Sequence, residues 1–391
     1  MARIQYLTQI DIDFGVVGLL AAECQRLGIQ RPMIVTDLGV RAAGVLKPVE
    51  DAVAGLPVTV FDGTPSNPTE AAVRAAVAAY AAGQCDGLIA VGGGSSIDLA
   101  KGVAIAATHP GPLTTYATIE GGSLKITAAA APLIAVPTTA GTGSEVARGA
   151  ILIVDDGRKL GFHSWHLMPK AALLDPALTL GLPPMLTAAT GMDAIAHCME
   201  TFMSAAVNPP ADGIALDGLA RGWAHIERAT RDGSDRDARW AMMSASMQGA
   251  MAFQKGLGCV HSLSHSLGGL NPRLHHGTLN AVFLPAVIRF NAGADSVQRD
   301  RRLQRMATAM GLQVGEGAAT AVAADVAAEV VANAVTALNA RLGLPTGLAA
   351  MGVDASMFDA IIDHAMKDHC HATNPRLASR ADYQDMLTAS L

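Results

Sequence analysis

Two patterns of apolar residues divide this chain. Up to about residue 182, short continuous apolar runs recur: Pro32–Asp37, Pro57–Asp62, Gly87–Val91 and Pro132–Pro137. Such runs read as strands, the last two as strands buried on both faces of a parallel sheet. Helical stretches lie between them. Asn67-Pro68-Thr69-Glu70 opens one that runs through Ala79, with proline near its first turn. This alternation predicts an α/β domain over residues 1–182, doubly wound around a mostly parallel sheet. After Leu182-Pro183-Pro184 the strand signals nearly vanish. Long stretches rich in Ala, Leu and Met follow, among them Arg239–Phe253 and Ala318–Leu342, the latter closed by Gly343 and Pro345. Residues 183–391 therefore read as an all-α domain, with the cleft between the two as the expected site.

Composition narrows the function. Of 391 residues, 50% are apolar and 16% charged, which excludes intrinsic disorder. Net charge is 28 − 34 = −6 with no lysine or arginine block, so nucleic acid and anionic membranes are not expected partners. Five cysteines, scattered and without a CxxC, point to a reducing cytoplasm and against a disulfide framework. The start lacks a basic segment followed by an apolar one, so no signal peptide is expected. The apolar stretch Ile126–Val136 is too short to span a bilayer and is broken by Pro132.

Two loops carry candidate cofactor chemistry. Strand Gly87–Val91 runs into Gly92-Gly93-Gly94-Ser95-Ser96-Ile97-Asp98 and then a helix. Glycines admit a pyrophosphate close to the backbone, and the helix N-terminus favours its charge. The pattern is not GxGxxG, and a tight strand-to-helix turn would look the same. Pro137-Thr138-Thr139-Ala140-Gly141-Thr142-Gly143-Ser144-Glu145 also follows a buried strand. Its hydroxyls suit a ribose or adenine, or a turn with a helix N-cap at Ser144. Asp37 ends an early strand, where a carboxylate accepts the ribose hydroxyls of NAD and repels the extra phosphate of NADP. An Asx turn explains the same residue.

The second half carries a histidine and aspartate constellation. Asp193 and His197 are four apart, as are His261 and His265, and His275-His276 follows. Spacing of i, i+4 puts both side chains on one helix face. Imidazole and carboxylate suit Fe(II) or Zn(II), and three histidines with one aspartate leave a position for substrate.

Taken together, the chain resembles the iron-containing (group III) alcohol dehydrogenases. The segments that carry the resemblance are Val35–Val40, Ser66–Thr69, Gly92–Asp98, Pro137–Val146, Gly191–His197, Gly256–Gly258 leading to His261, and His276-Gly277 with Asn280-Ala281. They occur in family order along most of the chain. The resemblance implies a dinucleotide-binding α/β domain and a helical metal domain. It places the metal ligands on Asp193, His197, His261 and His276, the last because the family histidine precedes a glycine; His275 remains open. It implies His265 as a non-ligand histidine near the nicotinamide, and a cofactor lining of Asp37, Asn67, Gly92, Gly93, Gly94, Ser95, Asp98, Thr138, Thr139, Thr142, Ser144 and Lys159. The implied cofactors are NAD and Fe(II), with Zn(II) acceptable to the same donors.

Arg148 and Lys255 stand where members acting on neutral alcohols carry uncharged residues. With Lys159–His166 and His369–Arg376, they make the resemblance strongest to members that interconvert 4-hydroxybutyrate and succinate semialdehyde. Lys255 and Arg148 are then the candidate anchors for a substrate carboxylate. Other acidic aldehydes, maleylacetate, neutral diols and a dehydroquinate-synthase-like elimination are the alternatives. The resemblance also implies a homodimer or larger assembly.

Overall fold

The computed structural model describes residues 4–6, 8–314 and 321–391. The chain forms two compact units, Tyr6–Gly181 and a second made mainly of Leu182–Leu391.

The first unit is built on a six-stranded, wholly parallel sheet in the order β1-β8-β5-β4-β2-β3. The strands are β1 (Gln9–Ile12), β2 (Pro32–Val35), β3 (Thr59–Phe61), β4 (Gly87–Gly92), β5 (Leu133–Pro137) and β8 (Ala171–Leu174). Alternation along the strands sends Met33, Val35, Leu88 and Ala90 into one core, and Ile34, Ile89, Val91 and Ile134 into another. Both faces are covered, which is why these strands read as unbroken apolar runs. Helices Glu70–Ala82 and Gly94–Ala106 occupy the connections. Thr69 Oγ1 caps the former by accepting the Ala72 N–H at 3.2 Å.

From β2 the chain steps outward to β3, then returns to the other side of β2 as β4 and continues away through β5. The direction of winding therefore reverses between β2 and β4. Ligands of open α/β sheets bind beyond the carboxyl ends of strands at such a point. Asp37 follows β2, and the glycine loop follows β4.

An antiparallel pair, β6 (Gly149–Ile153) and β7 (Lys159–His163), lies outside this sheet. Neither it nor β1 and β8 was expected. Ser144 opens only a short 3₁₀ turn, Ser144–Val146, rather than capping an α-helix.

The second unit is helical, with no strand among its described residues. Helix Pro184–Met203 runs through its middle, with every residue from Thr187 to Met203 buried. Helices Pro209–Arg231 and Arg236–Met251 pack on it, and Cys259–Leu270 and His276–Asn291 bring up the histidines. The expected helix Ala318–Leu342 is observed as Ala321–Arg341; residues 318–320 lie outside the described residues. It is long and apolar enough to cross a membrane by length and composition. Here it buries Ala324, Ala327, Ala328, Val331, Val335 and Leu338 and packs against His276–Asn291.

Candidate functional site

Helix Pro184–Met203 is buried all round, so a carboxylate on it must be partnered. Asp193, only 2% exposed, is met by three imidazoles. Its Oδ1 lies 3.4 Å from His197 Nε2, 3.6 Å from His261 Nε2 and 3.6 Å from His276 Nε2. His197 comes from the next turn of the same helix, and His261 from Cys259–Leu270. His276 begins the helix His276–Asn291, whose close approach depends on Gly277. A Cβ there would sit 2.1 Å from the Ala189 carbonyl oxygen, so only glycine lets this helix end reach Asp193. His275 is exposed on the preceding turn, and it is the His276 ring that faces the aspartate.

The orientation of the rings is fixed from behind. Glu200 Oε2 bonds His261 Nδ1, while Glu200 Oε1 accepts the Val260 N–H at 2.8 Å. This leaves His261 Nε2 facing Asp193. Ser264 Oγ contacts His276 Nδ1 at 3.2 Å, and Phe253 packs edge-on against the His197 ring. Burial alone would raise the Asp193 pKa, but the three imidazoles outweigh it and hold the carboxyl well below its usual range. Burial lowers the pKa of His261, yet Glu200 and Asp193 together push it up to about 9.

This donor set fits a divalent cation. Nitrogen and oxygen ligands about 2.0–2.2 Å from a tetrahedral ion stand roughly 3.3–3.6 Å apart, the spacing seen around Asp193 Oδ1. The Asn280 amide gives an independent sign. Its Nδ2 approaches Asp193 Oδ1 at 2.7 Å, His276 Nε2 at 3.1 Å and His261 Nε2 at 3.2 Å, while its buried Oδ1 has no partner. One amide nitrogen is thus ringed by three atoms of metal-ligating type, the crowding expected where a cation belongs. Glu200 was not singled out from sequence, and Asn280 only as part of a segment that carries the resemblance, with no role assigned. Glu200 lies seven residues after Asp193, on the same helix face, and that spacing was its available signal.

His265 stands beside this group without joining it. Its ring stacks on His276 with centroids 5.2 Å apart, and its Nδ1 lies 3.1 Å from Asp368 Oδ2. Lys255 does not face the group. Gly256, at φ +89°, turns the chain, and the fully buried ammonium pairs with Asp212 and donates to the Phe202 carbonyl at 3.2 Å. Burial pushes its pKa down to about 8 against the pull of Asp212.

In the other unit, the glycine loop and the Thr138 loop lie side by side. Thr138 N–H donates to the Gly92 carbonyl at 3.0 Å. Gly92 has φ +150°, and a Cβ there would meet Ser96 Oγ at 2.4 Å. A Cβ on Gly94 would lie 2.7 Å from the Thr142 methyl, and Thr139 adjoins Gly93. Asp37 caps helix Leu38–Ala42 through the Val40 N–H at 2.9 Å, and its other oxygen meets Ser96 Oγ at 3.4 Å. Ser95 Oγ donates to the Ser66 carbonyl, and Lys159 Nζ to Asn67 Oδ1 at 3.1 Å.

Asp98 and Ser144 are turned inward. Ser144 Oγ donates to Asp98 Oδ1 at 2.6 Å, and Asp98 Oδ2 accepts the Ile151 N–H. Behind them the buried Lys101 ammonium reaches Ser144 Oγ and the carbonyls of Ser144, Ala147 and Gly149 at 2.7–2.9 Å. Burial lowers its pKa to about 8, and burial raises that of Glu145 to about 7. Arg148 is exposed, with its guanidinium 4.9 Å from the Trp165 ring centre and no carboxylate partner among the described residues.

Comparison with known proteins identifies relatives. Residues 8–176 match the model of the iron-containing alcohol dehydrogenases. Residues 187–391 match that of the Fe-containing alcohol dehydrogenase family, C-terminal. The chain is 68% identical to 4-hydroxybutyrate dehydrogenase from Cupriavidus necator, over 100% of both chains. Its fold matches the crystal structure of a 1,3-propanediol oxidoreductase with a TM-score of 0.93 and 34% identity, covering 100% of both chains. Sulfoacetaldehyde reductase from Bifidobacterium kashiwanohense in complex with NAD+ matches with a TM-score of 0.87 and 25% identity, covering 100% of this chain and 98% of that one.

Proposed function

The chain belongs to the iron-containing alcohol dehydrogenase family, and on that premise we propose that it interconverts 4-hydroxybutyrate and succinate semialdehyde. It is a metal-dependent, NAD-linked oxidoreductase. The observation that carries the reaction class is the convergence of His197, His261 and His276 on Asp193. Support for the substrate is the full-length 68% identity to an enzyme of that name.

We assign Asp193, His197, His261 and His276 as ligands of Fe(II), a role their donors would also serve for Zn(II). A cation held by these residues would supply Lewis acidity toward an alcohol oxygen, and a bound NAD would supply the hydride-accepting chemistry. His265 is the proposed proton relay. Asp368 accepts its Nδ1–H, which assigns the Nε2 lone pair to the hydroxyl proton. The backbone of Gly92, Gly93 and Gly94 would hold the pyrophosphate of NAD, and Asp37 its ribose. Asn67, Ser95, Thr138, Thr139, Thr142 and Lys159 complete the lining, and Asp98 and Ser144 hold the two loops together.

Arg148 is the anchor for the substrate carboxylate. Trp165 holds its guanidinium, and its charge is not spent on a carboxylate, whereas the charge of Lys255 is committed to Asp212. Five free thiols support a reducing, cytoplasmic setting. A homodimer or larger assembly belongs to the same proposal and is read by light scattering.

Arg148→Met tests the substrate. A charge-assisted contact worth about 1.5–3 kcal/mol predicts a loss of roughly 10–100-fold in kcat/KM on 4-hydroxybutyrate, with 1-butanol changed less than twofold. Equal losses on both alcohols would remove the anchor. Failure of the iron-loaded parent to turn over 4-hydroxybutyrate would remove the substrate.

A further inference from the structure

Among the described residues, a second group of metal-binding side chains gathers beside the first. His265, Asp368, His369 and Cys370 offer donor atoms within 4.8 Å of one another. His265 Nδ1 is 3.1 Å from Asp368 Oδ2, and His369 Nδ1 is 3.7 Å from Asp368 Oδ1. The other nitrogen of His369 lies 3.5 Å from Cys370 Sγ. The backbone supports the arrangement, since Asp368 Oδ1 accepts the Cys370 N–H at 2.8 Å. The His369 side chain is 56% exposed and gives an ion a path from solvent.

The chemistry differs from that of the first site. Two imidazoles, a carboxylate and a thiolate supply the four donors a tetrahedral ion needs, and the sulfur favours zinc over iron(II) or magnesium. A zinc ion with one aspartate and one thiolate is electrically neutral, which suits the buried Cys370 side. Closing the donors onto an ion requires a contraction of about 1 Å from their widest spacing, within reach of the exposed His369.

We propose that His265, Asp368, His369 and Cys370 form a second, zinc-preferring cation site, and that filling it inhibits the enzyme. The inhibition rests on the assignment of His265 as proton relay. A neutral imidazole carries one N–H. Ligation through Nδ1 moves that hydrogen to Nε2, so Nε2 can no longer accept a proton from the alcohol. Zinc binding displaces one proton, from the Cys370 thiol, to solvent.

The test is zinc chloride added to the iron-loaded enzyme. Metal content after gel filtration, turnover, and the thiolate charge-transfer band with cobalt(II) in place of zinc are followed in parallel. The expected result is one zinc per chain with iron retained, a cobalt–thiolate band, and at least a tenfold loss of turnover. His369→Ala, at an exposed position, and Cys370→Ser should each weaken zinc binding at least tenfold and leave turnover without zinc unchanged. Inhibition matched by loss of iron overturns the site, because zinc has then replaced the first metal. Zinc binding unaffected by both substitutions also overturns it. Full zinc occupancy without inhibition upholds the site and overturns the relay role of His265.

Discussion

A metal-ligating imidazole is held in orientation by a partner on its other ring nitrogen, and Glu200 is so placed for His261, a proposed ligand. Replacing Glu200 by alanine should weaken metal binding by about 10–100-fold, read by competition with a chromophoric chelator; an unchanged affinity would show that packing alone orients the ring. A second titratable group gives a signed pH effect. Glu145 is buried and its pKa is raised to about 7, so the folded chain binds the extra proton between the unfolded value near 4.5 and 7. Its contribution to stability is full at low pH and declines as pH rises through that window. Glu145→Gln should therefore raise Tm over the parent at pH 8 and leave it unchanged at pH 4.5; a pH-independent difference would contradict this. At this scale the sequence was legible where spacing fixes direction. Asp193 and His197 share a helix face whatever the rest of the fold does. The direction of the Lys255 ammonium, six residues before His261, was not legible, because nearness along the chain says nothing of where a side chain points once Gly256 turns the backbone, and here it pairs with Asp212.

Elements were legible where burial wrote an unbroken apolar run. β2, β3, β4 and β5 fall within a few residues of their expected places. Ala171–Leu174 became β8 against a composition that favours helix, because parallel pairing with β1 and β5 decides its state. The pair β6 and β7 had its own turn signal, Asp155-Asp156-Gly157-Arg158, with Gly157 at φ +86°. What no local pattern could give is the tie between helix Gly94–Ala106 and the loop after β5. Lys101 makes that tie by gathering oxygen atoms of Ser144, Ala147 and Gly149 around one ammonium. Lys101→Met keeps the length of the side chain but strands those acceptors and leaves Asp98 without its buried counter-charge. A loss of about 3–5 kcal/mol is expected, with NADH binding at least tenfold weaker by fluorescence titration. Unaltered NADH affinity would separate Lys101 from the cofactor loop.

At the scale of the molecule, the chemistry is divided between two units, each with its own interior. Tyr6–Gly181 carries the glycine loop, Asp37 and the Lys101 network on a sheet covered on both faces. Leu182–Leu391 carries Asp193 and its three histidines on helices that pack on one another. Among the described residues, the proposed metal ligands lie outside the two apolar clusters that cover the sheet beneath the glycine loop. Removing the metal leaves a carboxylate and three imidazoles facing one another in a buried setting, whereas binding it satisfies all four at once and favours the folded state by mass action. Chelation should therefore abolish turnover and lower Tm by several degrees. NADH binding should stay within twofold of the loaded enzyme, and iron(II) added back should restore both lost properties. A parallel loss of NADH affinity on chelation would mean that the helical unit governs the dinucleotide loops, and the division of labour argued from the separate cores would fail.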